Sequence, residues 1–157
     1  MIVKLEKLWW TPFPQLSCGM PYPGHPKGCP TLNKKQGCPP TARPLHKQIV
    51  SPYFAIINEF DLARHTRSMS AKHPQWTERQ VRCCLYWQRK ARKELESLIE
   101  SFLGDYAHID MDVERCPEAC GLNVTETLRH HGVRLEWPPV NIVRQVAIAG
   151  VKAELMQ

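Results

Sequence analysis

Three cysteines in a proline- and glycine-rich stretch, Cys18, Cys29 and Cys38, are the residues of this chain best suited to chemistry, and each has a glycine neighbour: Gly19, Gly28 and Gly37. Thiolates are soft ligands that suit zinc and iron–sulfur clusters and disfavour magnesium or calcium. A glycine beside each sulfur lets the backbone bend close to a bound centre and turn its N–H groups towards it. Proline follows Cys29, Cys38 and also Cys116. Cys-Pro recurs at the last ligand of iron–sulfur loops, where it stiffens the turn. Ten residues separate Cys18 from Cys29, and eight separate Cys29 from Cys38. Paired zinc ligands usually stand about two to four residues apart, and there is no Cys-x-x-Cys. The spacing therefore favours an iron–sulfur centre, [4Fe–4S] by preference, with zinc as the alternative. Cysteines that merely pack a loop are the plainer reading.

The chain has seven cysteines, the others being Cys83, Cys84, Cys116 and Cys120. An odd count, and a start that carries charges inside its apolar pattern as a secretory leader would not, argue against a disulfide framework and for a reducing, cytoplasmic setting. No stretch of about 18 apolar residues suggests a membrane span.

The run Gly28-Cys29-Pro30, followed by Cys38-Pro39-Pro40, resembles the Gly-Cys-Pro…Cys-Pro-Pro signature of a family of predicted metal-binding proteins of unknown function. Members of that family carry a further cysteine before the pair, a place that Cys18 takes across a longer gap. The segment from Pro117 through Cys120, Gly121, Asn123 and Val124 is similar to the family's C-terminal motif, which opens a helix. Where the family has an additional cysteine cluster before that motif, this chain has Cys116 and Cys120. The resemblance touches about a quarter of the chain; it implies a metal or cluster and no established reaction.

Three sulfurs leave a four-coordinate centre one ligand short. Cys116, which precedes a proline in a turn before a helix start, is the first candidate, and Cys120 is its substitute. Cys84 falls on an apolar stripe and reads as core. His25 lies between Cys18 and Cys29 and could ligate through its imidazole, or stand simply as an exposed loop residue. An open fourth position would let the centre bind a substrate.

Around these residues the expected fold is a single α+β domain, residues 1–157: a small, mostly antiparallel sheet with one long helix across it and a Pro/Gly-rich cysteine loop. Residues 2–9 alternate as a short strand, and 52–62 form an apolar core strand. Residues 12–44 hold nine of the fourteen prolines and half of the eight glycines, which excludes a long helix or central strand there. So long a loop requires a function or a crosslink. Residues 64–76 read as a polar loop. Thr77 with Gln80 forms a capping box, and apolar residues at steps of three and four then predict a helix over 77–103. Asn123 with Glu126 caps a shorter helix near 124–131, followed by a strand over 133–137 and another from 141 to 155.

Lys and Arg number 21 against 15 Asp and Glu, a net charge of +6 that permits phosphate-bearing partners without demanding them. Arg82, Arg89 and Lys93 are expected on one face of the long helix near Tyr86 and Trp87. They supply the alternative function, a zinc-stabilised module for nucleic acid or protein. The plainer reading is a solvated helix face. The acidic run Asp105, Asp110, Asp112 and Glu114 reads as a solvated loop. Trp9 and Trp10 are candidates to cover the centre. Phosphate-binding glycine loops, nucleophile elbows and His-Glu-x-x-His pairs do not occur, so ordinary kinase and hydrolase chemistry has no residues to rest on. The partner expected for the leading reading is a redox protein or an enzyme.

Overall fold

Apolar alternation builds the sheet, and on its two central strands both phases of the alternation are apolar. The computed structural model describes residues 1–21 and 26–153. In chain order the elements are β1 (Ile2–Leu5), α1 (Phe13–Ser17), β2 (Ile49–Asp61), α2 (Leu62–Lys72), α3 (Glu78–Val81), α4 (Gln88–Asp105), β3 (Met111–Glu114), α5 (Val124–His130) and β4 (Ile142–Lys152). The four strands form one antiparallel sheet in the order β1-β2-β4-β3. This is the expected α+β architecture.

The sheet is covered on both faces. Phe54, Ile56, Ala147 and Ala149 meet Leu95, Ile99 and Phe102 of α4. Ala55, Ile57 and Ile148 point the other way, onto Leu5, Leu45, Cys120, Leu122, Val124 and Leu128. The α4 stripe Ala91, Leu95, Ile99, Phe102 runs at helical spacing. Asn58 ties that helix to β2 by donating from Nδ2 to Ala91 O at 2.9 Å. The β2–β4 register shifts between Val50 and Phe54. Opposite the shift, a Cβ on Gly150 would lie 2.7 Å from Val50 O, so only glycine lets the strands close there.

Several expectations change. The helix expected over 77–103 is interrupted. The Thr77–Gln80 capping box is present, but α3 ends at Val81, a 3-10 turn occupies Cys84–Tyr86, and the long helix begins at Gln88. The break turns Trp87 inward to stack on Phe60 at 5.3 Å while its Nε1 donates to Arg82 O. An unbroken helix would have engaged those backbone groups otherwise. Residues 64–72 of the stretch 64–76, expected as a polar loop, belong to α2, which opens at Leu62: the Asp61 carboxylate accepts from Arg64 N at 2.7 Å and caps it. Leu62 alone of its residues is buried, so no apolar stripe announced it. The strand expected over 133–137 is irregular: Val133 and Leu135 pack on the core, and the segment pairs with no strand among the described residues. Part of the acidic run is strand β3 rather than loop. The strand expected over 141–155 is β4, and the end of that range lies outside the described residues.

Candidate metal centre

Cys18 caps α1, a single turn opened by Pro12 and Pro14. Its carbonyl accepts from Cys29 N at 2.8 Å, closing residues 18–29 into a backbone ring. Gly28 makes the closure possible. It is buried with φ at +79°, and a Cβ there would lie 2.7 Å from Cys18 O and 2.9 Å from the Gly19 carbonyl carbon. Asn33 N donates to Pro39 O, and the Cys38 carbonyl accepts from Thr41 N, Thr41 Oγ1 and Ala42 N, so the second half of the loop is a chain of turns.

These turns bring Cys29 and Cys38 to one hydroxyl, while the Cys18 sulfur faces Pro14 O at 3.9 Å. Thr31 Oγ1 stands 3.1 Å from Cys29 Sγ and 3.7 Å from Cys38 Sγ. The Thr31 hydroxyl lowers the pKa of the Cys29 thiol, helped by the N–H groups of Thr31 and Leu32. The thiol of Cys18 is pushed up, first by burial and then by the negative charges of Cys29, Cys38 and Glu118. Cys116 is also pushed up: by burial, then by Glu114 and Glu118, with a smaller contribution from Cys38. All seven thiols are free. Among the described residues no three His, Cys, Asp or Glu side chains stand in chelating positions. By donor chemistry the set fits a soft metal or a cluster: thiolates, with N–H and O–H groups on one of them.

Cys120 is different in kind. Its side chain is 3% exposed and belongs to the core beneath the sheet. Burial, followed by Glu114, pushes its thiol up to about 12, although Gln48 Nε2 donates to its sulfur at 3.4 Å. As a substitute ligand it would have to leave the core and lose its proton. Cys84, expected in the core, is exposed, because the helix that would have buried it is broken at that point. Cys83 is half-buried. His25 lies outside the described residues.

The two tryptophans divide. Trp9 stacks on His130 at 4.0 Å, while Trp10 stands edge-on to His46 and lines, with Cys120 and Gln15, an apolar cavity of about 530 Å³. Neither lies against Cys29 or Cys38 in that arrangement. Arg82 does not share a helix with Arg89 and Lys93: it sits at the end of α3, its guanidinium donating to Pro139 O at 2.8 Å and pairing with Glu78 at 3.5 Å. Arg89 and Lys93 are exposed on α4.

Residues that the spacing argument passed over are Thr31, Glu114 and Glu118. Glu114 Oε1 accepts from Cys116 N at 2.7 Å and so fixes the turn that presents Cys116. Both glutamates stand two positions from Cys116, a symmetry visible in the sequence. The Cys116-x-x-x-Cys120 spacing was a further signal, since it lies within the range of paired zinc ligands. Comparison of the chain with protein-family models, with curated proteins and with solved structures finds no match in any of the three.

Proposed function

We propose that the chain is an iron–sulfur protein, with a cluster, [4Fe–4S] by preference, on Cys18, Cys29 and Cys38 and with Cys116 as fourth ligand. It would serve electron transfer or small-molecule sulfur or redox chemistry with an enzyme or redox partner. The observation that carries this reading is the single Thr31 hydroxyl beside two of the sulfurs, joined to the backbone bond that holds Cys18 against Cys29. When bound, such a cluster supplies one-electron transfer at a potential set by charge, hydrogen bonds to sulfur and solvent access. The chain's part is to hold the thiolates and tune them. Thr31 and Leu32 direct hydrogen bonds at Cys29, Gly28 permits the close approach of two ligand segments, and Glu114 orients the turn of Cys116.

Protein purified without oxygen is expected to be brown, with a broad absorption near 400 nm (roughly the region of thiolate-to-iron bands) and matching iron and sulfide by elemental analysis. Colourless protein carrying one zinc per chain would replace the cluster with zinc on the same sulfurs.

A further inference from the structure

β3 has four residues and pairs with Ile148–Val151, so among the described residues the edge of β4 from Ile142 to Ala147 has a strand, β2, on one side only. Against the bare side lies a cavity of about 440 Å³, within the ordinary range for small-molecule sites of roughly 300–1,000 Å³. Its walls include Arg92 and Leu95 of α4, Gln145 of β4, Arg115 and Glu118 from the segment after β3, and Trp137.

The lining is poised for a ligand. Gln145 Oε1 is buried and has no hydrogen-bond partner among the described residues, a costly condition for an acceptor. Three arginines reach the cavity. Arg115 is engaged twice with Glu96, at 2.8 and 2.9 Å, and Arg144 pairs with Glu59 at 2.7 Å. Arg92 makes no ion pair or hydrogen bond among the described residues, while Glu96, held by Arg115, and Glu118 each add a carboxylate to the wall. Trp137 is 70% exposed, an aromatic surface with no aromatic partner in the fold among the described residues.

We infer that this cavity binds a small organic anion: a carboxylate or phosphate head on the Arg92 guanidinium, an N–H or O–H donor facing Gln145 Oε1, and a flat apolar body against Trp137. Guanidinium groups recognise such heads with paired, charge-assisted hydrogen bonds. The cavity adjoins the cysteine centre, because Arg115 and Glu118 line it and stand on either side of Cys116-Pro117. The anion is accordingly the substrate class of the proposed centre. That role rests on the cluster reading, whereas the anion site by itself does not.

Calorimetric titration of the anaerobically purified full chain with benzoate and with phenyl phosphate tests the inference, with benzamide as the neutral control. Saturable binding of at least one anion is expected, with benzamide about tenfold weaker or worse. Arg92→Gln, on an exposed helix position, should lower anion affinity by about tenfold or more while iron content and melting temperature stay unchanged. Arg67→Gln on α2, outside the cavity, should leave the affinity as it was. Failure of both anions to saturate, equal binding of benzamide, or wild-type affinity in Arg92→Gln would overturn the site. Colourless protein that binds benzoate through Arg92 removes the cluster and keeps the cavity, and brown protein that ignores both anions does the reverse.

Discussion

Between Phe13 and Pro44 only Gly28 is buried among the described residues, whereas Ala55, Ile56, Ile57, Ala147, Ile148 and Ala149 in the paired central strands have no exposure at all. The two regions are ordered by different forces. The strands are held by apolar surface withdrawn from water on both faces of the sheet, at about 25 cal/mol per Å². The loop is held by backbone bonds between turns, such as Cys29 N to Cys18 O and Asn33 N to Pro39 O. Bonds of that sort contribute only about 0.5–1.5 kcal/mol each when water competes. The difference teaches that the sheet is ordered by its own burial, whereas the thinly packed loop is where the proposed centre would add rigidity.

Four substitutions break or sharpen this contrast. The largest effect belongs to the sheet: Ile57→Ala should cost about 2–5 kcal/mol in urea unfolding, with the absorption of the folded fraction unaltered. A loss below about 1 kcal/mol would remove burial as the organiser of this side. Next comes Gly28→Ala in the loop, where a side chain at φ +79° meets the Cys18 carbonyl. The strain, about 1–3 kcal/mol, should appear as less iron per chain with little change in the unfolding midpoint of the sheet. Full iron occupancy in this variant would contradict the role given to Gly28.

The third is a pH effect at Cys120, where the loop's last anchor enters the core. Its folded pKa is raised from about 9 to about 12, so the folded state holds the proton more tightly than the unfolded chain. The stability this confers is complete below pH 9 and is lost as pH rises towards 12. Melting temperatures measured across that window should fall in the wild type and fall less in Cys120→Val. Parallel curves would show that the thiol does not titrate with unfolding. The smallest effect is Thr31→Val. The Thr31 hydroxyl lowers the Cys29 pKa, so in metal-free protein the alkylation profile of Cys29 should move to higher pH on its removal. An unmoved profile would leave Cys29 without its proposed support.

Much of the fold was legible because burial leaves a periodic trace: the apolar run of β2 and the stripe from Ala91 to Phe102 each name a buried surface, and the exposed capping box at Thr77 names a helix start. The elements that escaped bury little. α2 hides only Leu62 and depends on the Asp61 cap, and the break at Cys83 is decided by where Trp87 finds Phe60, a contact between distant segments. The candidate site was legible as ligand type and not as geometry. Spacing could single out Cys18, Cys29 and Cys38, but Thr31 counts only after the chain has turned back on itself, and the arginines of the β4 cavity come from three separate elements. Cys116 ranked before Cys120 in the sequence because it precedes a proline in a turn before a helix start; solvent exposure separates the two, Cys116 being exposed and Cys120 in the core.

The turn at 120–121 also sets how the whole excursion is mounted. Thr11 N donates to Gly121 O, and Leu45 N donates to Cys120 O. The chain therefore departs and returns at adjacent residues of one support. Residues 12–44 behave as a removable cassette whose two ends share a socket. A short polar linker joining Thr11 to Leu45 should leave the sheet and α4 folded, and the same socket should accept a foreign metal-binding loop of different length. Extra length costs such a closed loop only about 0.6 kcal/mol per doubling, so this scaffold should tolerate loops of different length without redesign of its core.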